Sequence, residues 1–378
     1  MGGKMIVNQF QPFVGKDEYE AIKSCFDINW ITEGPKSEEF TEKLLNLMGA
    51  KYGVFAPNGT LALYMGLKAL DIGPGDEVIV PNCTFIGSAN AVEMCGATPV
   101  LVDIDKHDLQ IDIKKCEALL SKKTKAIMPV HLFGLSVDLS AVTTFANKNN
   151  LKVIEDAAQA IGVTWNNKHC GTFGDVGCFS FFADKTITTG EGGFVVTNDE
   201  KIYNKLRFLR NQGRINRGSF IHPEIGYNFR MTDIQAAIGL VQLSKLDNII
   251  KRKLNILSAY REQLSDIRGI KIIEPDIYYS KSNHIPFRVV LMCDKPSAGL
   301  MNHFDKNNIE TRTVFYPLHK QPCFKKLGKE MNWVDDEFSN SIYAYEHGIC
   351  LPSYVALKEE QIKYVCSKVK EYYEKVQS

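Results

Sequence analysis

Between Tyr52 and Thr197 the chain alternates short apolar runs with amphipathic segments. The runs are YGVFAP (52–57), EVIVP (77–81), TPVLVD (98–103), KAIMPV (125–130), LKVIE (151–155), CFSFF (178–182) and GGFVVT (192–197). Most are continuous rather than alternating, as expected of strands covered on both faces. Helix-like pieces such as TLALYMGLKAL (60–70) and DLSAVTTFANKNN (138–150) lie between several of them. This predicts an α/β layer around a largely parallel sheet, a fold whose ligands sit at the carboxyl ends of the strands.

After Met231 the texture changes. Leu240, Leu243, Leu246, Ile250, Leu254 and Leu257 recur every three or four residues, predicting one face of a long helix capped by Thr232 or Asp233. A strand-like IPFRVVLMC (285–293) and an amphipathic segment over 358–376 follow. The pattern predicts a large domain over residues 1–245 and a smaller C-terminal α+β domain over 246–378.

Composition is that of an ordinary globular protein: 44% hydrophobic and 24% charged over 378 residues, with a formal net charge of +1. No block of like charge suggests a nucleic-acid groove or a polybasic membrane patch. No apolar run reaches membrane-spanning length. MGGKMIVNQF at the start has no signal-peptide core, and Ile6 rules out a myristoylation site. The ten cysteines show no C-x-x-C pair or zinc-like spacing, so they read as reduced thiols of a cytoplasmic protein. The eight histidines are dispersed, and no metal site is expected.

The candidate chemistry centres on FSFFADKTITTGEGG (179–193), where an apolar run ends in Asp184 and Lys185. A lysine there has either left the strand for water or is held dry as an amine nucleophile. No P-loop or dinucleotide fingerprint accompanies it: Gly73 and Gly75 precede a strand and lack a third glycine. Four other signals gather at strand ends. Asp156 ends VIED and can hold a pyridine nitrogen protonated, although a solvated strand end is the commoner fate of an acid. Asn58-Gly59-Thr60 opens a helix whose N–H groups would face an anion, or which Asn58 simply caps. Ser180 puts a hydroxyl in an apolar strand, where a phosphate or a neighbouring carbonyl could partner it. Phe85 could stack on a planar ring or fill the core. Together these are the parts that pyridoxal phosphate demands: an amine, a ring-nitrogen partner, a phosphate cup and a stacking face.

IEDAAQAIG (154–162), GTFGDVGCFSFF (171–182), GEGGFVVTND (190–199) and GYNFRMTDIQAAIG (226–239) resemble the ordered motifs of the DegT/DnrJ/EryC1/StrS sugar aminotransferases. WITEGP (30–35), NGTLAL (58–63), FYPLHKQP (315–322) and LPSY (351–354) extend the resemblance over nearly the whole chain. The segments KTITTGEGG and TRTVFYPLH are most similar to the branch that makes GDP-perosamine. The resemblance implies a fold-type-I, pyridoxal-phosphate-dependent enzyme, working as a homodimer with shared sites. It would move an amino group from L-glutamate to a nucleotide-linked 4-keto-6-deoxyhexose. The base (GDP, dTDP or UDP), the sugar configuration and carbon 4 against carbon 3 stay open, as does a non-catalytic regulator.

By the same resemblance Lys185 would bind the cofactor and shuttle protons, and Asp156 would pair with the ring nitrogen. Gln159 would lie near the ring hydroxyl. Gly59, Thr60 and Ser180 would hold the phosphate, with Asn228 reaching the phosphate of the neighbouring subunit. Phe85 would stack on the ring, and Trp30, Tyr316 and His319 would meet the sugar nucleotide. Asp184 departs from relatives, which commonly carry Asn or Thr there; its charge would raise the lysine pKa or alter sugar contacts.

Overall fold

The computed structural model describes residues 5–214, 218, 220–274 and 280–377. Seven strands form the main sheet: β1 (Tyr52–Ala56), β2 (Glu77–Pro81), β3 (Thr98–Val102), β4 (Thr124–Ile127), β5 (Lys152–Asp156), β6 (Val176–Ser180) and β7 (Gly193–Thr197). Their spatial order is β1-β7-β6-β5-β4-β2-β3. The pairings from β6 through β3 are parallel, whereas β7 runs antiparallel to both β1 and β6.

Both faces of the sheet are covered, which is why its strands read as unbroken apolar runs. Successive residues point to opposite sides: Phe55 and Ile79 enter one core cluster, while Val54, Ala56, Val78 and Val80 enter the other. The first core is closed by α1 (Pro35–Met48), whose Phe40 and Leu44 are fully buried, and the second by α2 (Gly59–Ala69). Asp138 caps the helix Leu139–Asn149 by accepting from Ala141 N at 2.9 Å, and Asn150 ends it in a left-handed turn.

The single long helix expected after Met231 is two helices. Thr232 caps α3 (Asp233–Ser244) through a reciprocal bond pair with Gln235. The helical path is interrupted at Lys245, and α4 (Leu246–Leu264) follows directly. Lys245 is tethered there, its ammonium 2.9 Å from both Asp17 and Glu18. On α4 the buried stripe runs through Leu246, Ile249, Lys253, Ile256 and Tyr260, so Leu254 is exposed and Lys253 turns inward.

A second, antiparallel sheet follows, ordered β8-β9-β11-β10: β8 (Ile270–Ile272), β9 (Val289–Cys293), β10 (Arg312–Thr313) and β11 (Gly348–Leu351). It packs against α4 and the final helix Glu359–Gln377. The N-terminal segment also belongs to this unit. Val7 bridges Ile309 and is fully buried, and Gln9 Nε2 donates to the Cys350 carbonyl at 2.9 Å. Among the described residues no helix is long and apolar enough to cross a membrane. All ten cysteines are free thiols, and only Cys323 is exposed.

Candidate active site

The carboxyl ends of β1, β2, β5 and β6 open into a cavity of about 630 Å³, closed on its far side by the second sheet. Nine residues singled out in the sequence line it: Asn58, Gly59, Thr60, Phe85, Asp156, Gln159, Ser180, Asp184 and Lys185.

Lys185 follows β6 by one turn, its N–H donating to the Phe182 carbonyl at 2.9 Å. The side chain goes inward rather than to water: Nζ lies 4.5 Å above the Phe287 ring and 3.9 Å from Asp184 Oδ1. Burial pushes its pKa down, while the charges of Asp184 and Asp156 pull it up and Arg288 pushes it down again.

The two acids that end β5 face opposite ways. Glu155 turns away from the cavity, and its carboxylate accepts from His131 Nε2 at 2.9 Å and from the N–H groups of Gly171, Phe173 and Gly174. Asp156 faces the cavity, where Ser88 Oγ donates to Oδ2 at 2.7 Å and Ala158 N to Oδ1 at 3.1 Å. Burial raises its pKa against those bonds and the Lys185 charge. A cationic ring nitrogen at this place would offset that burial.

The opposite end of the cavity suits an anion. Asn58 caps α2 by accepting from Leu61 N at 3.0 Å. The first-turn N–H groups of Gly59 and Thr60 have no partner among the described residues. A Cβ at Gly59 would come within 2.8 Å of Ser180 Cβ, so only glycine lets α2 approach the strand this closely. Ser180 Oγ accepts weakly from Phe182 N at 3.3 Å, which leaves its proton to donate. Gln159 Oε1 accepts from Phe133 N at 2.7 Å, turning its amide nitrogen into the cavity. A buried amine, a buried acid, an aromatic face and an unpartnered helix start thus share one cavity, and they fit pyridoxal phosphate.

Four expected residues do not line the cavity within one chain. Trp30 is exposed, its indole donating to the Glu33 carbonyl. Asn228 is exposed on a bridge to Asn211, its side chain accepting from Arg230. Tyr316 packs edge-on against Tyr345. His319 is turned aside, bonded to Asn82 and Asp335 and stacked on Phe338. Phe315, the residue before Tyr316, takes the wall instead, stacked on Phe133 and edge-on to Phe85.

The sequence reading missed Phe133, Ser88, Phe287 and Arg288. Ser88 sits one helical turn after Phe85, a spacing that could have found it. Arg288 interrupts an apolar strand with a charge, the signal that drew attention to Lys185.

Residues 12–370 match the model of the DegT/DnrJ/EryC1/StrS aminotransferase family. The chain belongs to this family. It is a pyridoxal-phosphate-dependent sugar aminotransferase. It is 38% identical over 371 residues to a GDP-perosamine synthase of Escherichia coli O157:H7, covering 96% of this chain and 98% of that one. Its fold matches a putative sugar aminotransferase of Streptococcus pneumoniae in its PMP form, with a TM-score of 0.93, 25% identity and 99% of both chains covered. It also matches DesV of S. venezuelae, seen with a ketimine intermediate, with a TM-score of 0.88, 30% identity and 94% of both chains covered.

Proposed function

We propose that this aminotransferase carries an amino group from L-glutamate to carbon 4 of a nucleotide-linked 4-keto-6-deoxyhexose, GDP-linked as in perosamine formation. The observation that carries the reading is the cavity itself, with Lys185 and Asp156 buried together and the unpartnered N–H groups of α2 also on its wall. The perosamine-type relative supports the choice of sugar. Two domains, divided near residue 245 with the segment of Val7 and Gln9 returning to the second, close on this cavity.

Pyridoxal phosphate, when bound, supplies a carbonyl that exchanges for an amine and a ring that withdraws electrons. The chain's own groups do the rest. Gly59 N, Thr60 N and Ser180 Oγ would hold the cofactor's phosphate. Asp156 would keep its ring nitrogen protonated, and Ser88 fixes the rotamer of that carboxylate. Phe85 and Gln159 would meet its ring. Lys185, as the neutral amine, would take the α-proton of glutamate and return a proton on the sugar side. The aromatic layer of Phe315 and Phe133 excludes water. Asn228, Trp30, Tyr316 and His319 serve the sugar and phosphate ends in a homodimer, where exposed positions such as Trp30 and Asn228 reach the partner's site.

The test is a visible spectrum followed by a substrate panel. The reconstituted protein is expected to be yellow, to bleach with L-glutamate and to recover its colour with GDP-4-keto-6-deoxymannose. Lys185→Ala should lose the band and turnover. A yellow protein that glutamate leaves unchanged overturns the transfer reaction; recovery only with UDP- or dTDP-linked sugars overturns the base.

A further inference from the structure

Asp184 and Lys185 are consecutive, and so are Phe287 and Arg288 on the approach to β9. The two dipeptides meet across the cleft between the sheets. Arg288 Nη2 donates to Asp184 Oδ2 at 2.6 Å, and the Lys185 ammonium lies 4.5 Å above the Phe287 ring. Asp184 and Arg288 are both nearly buried, with side chains 11% and 8% exposed. Arg288 is also backed by the rings of Phe287 and Phe10.

We propose that Phe287 and Arg288 form a clasp from the second sheet that positions Lys185 and neutralises Asp184 beside it. The inference rests on Lys185 being the lysine that binds the cofactor.

Asp184 without Arg288 would place an uncompensated carboxylate 3.9 Å from the reacting nitrogen. In a site this dry, that charge favours the protonated amine, which cannot abstract a proton. Arg288 cancels it, and the aspartate becomes a tether from the Lys185 turn to the second sheet. Arg288 and Phe287 are thus positioning residues. The other charged groups around Lys185 are Asp156 from β5, Lys253 from α4, and Glu191 and Arg312 on the cavity wall. Burial, and then the Arg288 charge, push the Lys253 amine down to about 7 against the pull of Asp184.

The test titrates the visible absorbance of the Lys185-bound cofactor against pH in the holoenzyme. Arg288→Met is expected to raise the midpoint by about 1–3 pH units. Asp184→Asn, which strands the arginine, should lower it. The double variant should return towards wild type, and Arg288→Lys should stay close to it. Singles that do not move in opposite directions, or a double variant that fails to compensate, overturn the clasp even if activity falls. Should Arg288→Met fail to fold, an unmoved midpoint in Asp184→Asn overturns it alone. A band that survives Lys185→Ala overturns both the clasp and the assignment of the lysine.

Discussion

Glu155 and Asp156 are adjacent carboxylates with opposite environments, because successive residues of a strand face opposite ways. Glu155 is saturated with donors. Burial works against its charge, but the His131 bond and the backbone N–H groups win and hold its pKa below the ordinary 4.5. A folded-state pKa below the unfolded one stabilises the protein above the unfolded value. That stabilisation is lost as pH falls through the folded value. Urea denaturation at a series of pH values should therefore show stability dropping below about pH 4.5. Glu155→Gln should cost about 3–5 kcal/mol at neutral pH and flatten that drop. At the other end of the cavity, Gly59→Ala would push Cβ into Ser180. Its cofactor affinity, read by fluorescence titration, should fall at least about tenfold, roughly 1.4 kcal/mol. The lysine and Asp156 were legible in the sequence because, each ambiguous alone, they stand at strand ends of one sheet together with a helix start, a hydroxyl and an aromatic ring. Arg288 carried the same signal inside IPFRVVLMC and was read only as strand, since nothing local says which buried charge has a partner 104 residues away.

Among the elements, strands were easier to read than helix ends. A strand buried on both faces advertises itself as a continuous apolar run, and all seven runs between 52 and 197 became strands of one sheet. The break at Lys245 was hidden because its cause is tertiary: the tether to Asp17 and Glu18 lies 227 and more residues away. The crossing of α3 over α1 shows how tightly such elements fit. A Cβ on Gly239 would lie 2.3 Å from the Phe40 ring. Asp233 on α3 also accepts from Gly34 N, Lys36 N and Ser37 N, closing the start of α1. Gly239→Ala should lower stability by about 1–3 kcal/mol through overpacking. Asp233→Ala should cost a similar amount, about 2–3 kcal/mol, by stranding those donors. Both are measured by chemical denaturation, and a neutral Gly239→Ala would mean that the helices are free to separate.

For the molecule as a whole, the proposed dimer makes a prediction that no monomeric enzyme could meet. If Asn228 serves the partner's cavity, then Lys185→Ala and Asn228→Ala chains each form dead homodimers. Mixed and allowed to exchange, they should regain about one quarter of wild-type activity, since half the dimers then hold one intact site of two. No recovery in exchanging dimers would place Asn228 in its own chain's site. The sequence could name Trp30, Asn228, Tyr316 and His319 through family likeness. Their distance from the cavity in a single chain had no local signature.

Val7 and Gln9 bear on how the protein is made. Their partners, Ile309 and Cys350, lie about 300 and 341 residues further along the chain. The segment around Val7 and Gln9 must therefore wait, unpaired, until residues 309 and 350 have been made. Contacts this distant in sequence slow the final step of folding. A nascent chain stalled before residue 309 should hold the main sheet while residues 5–10 remain open to proteases.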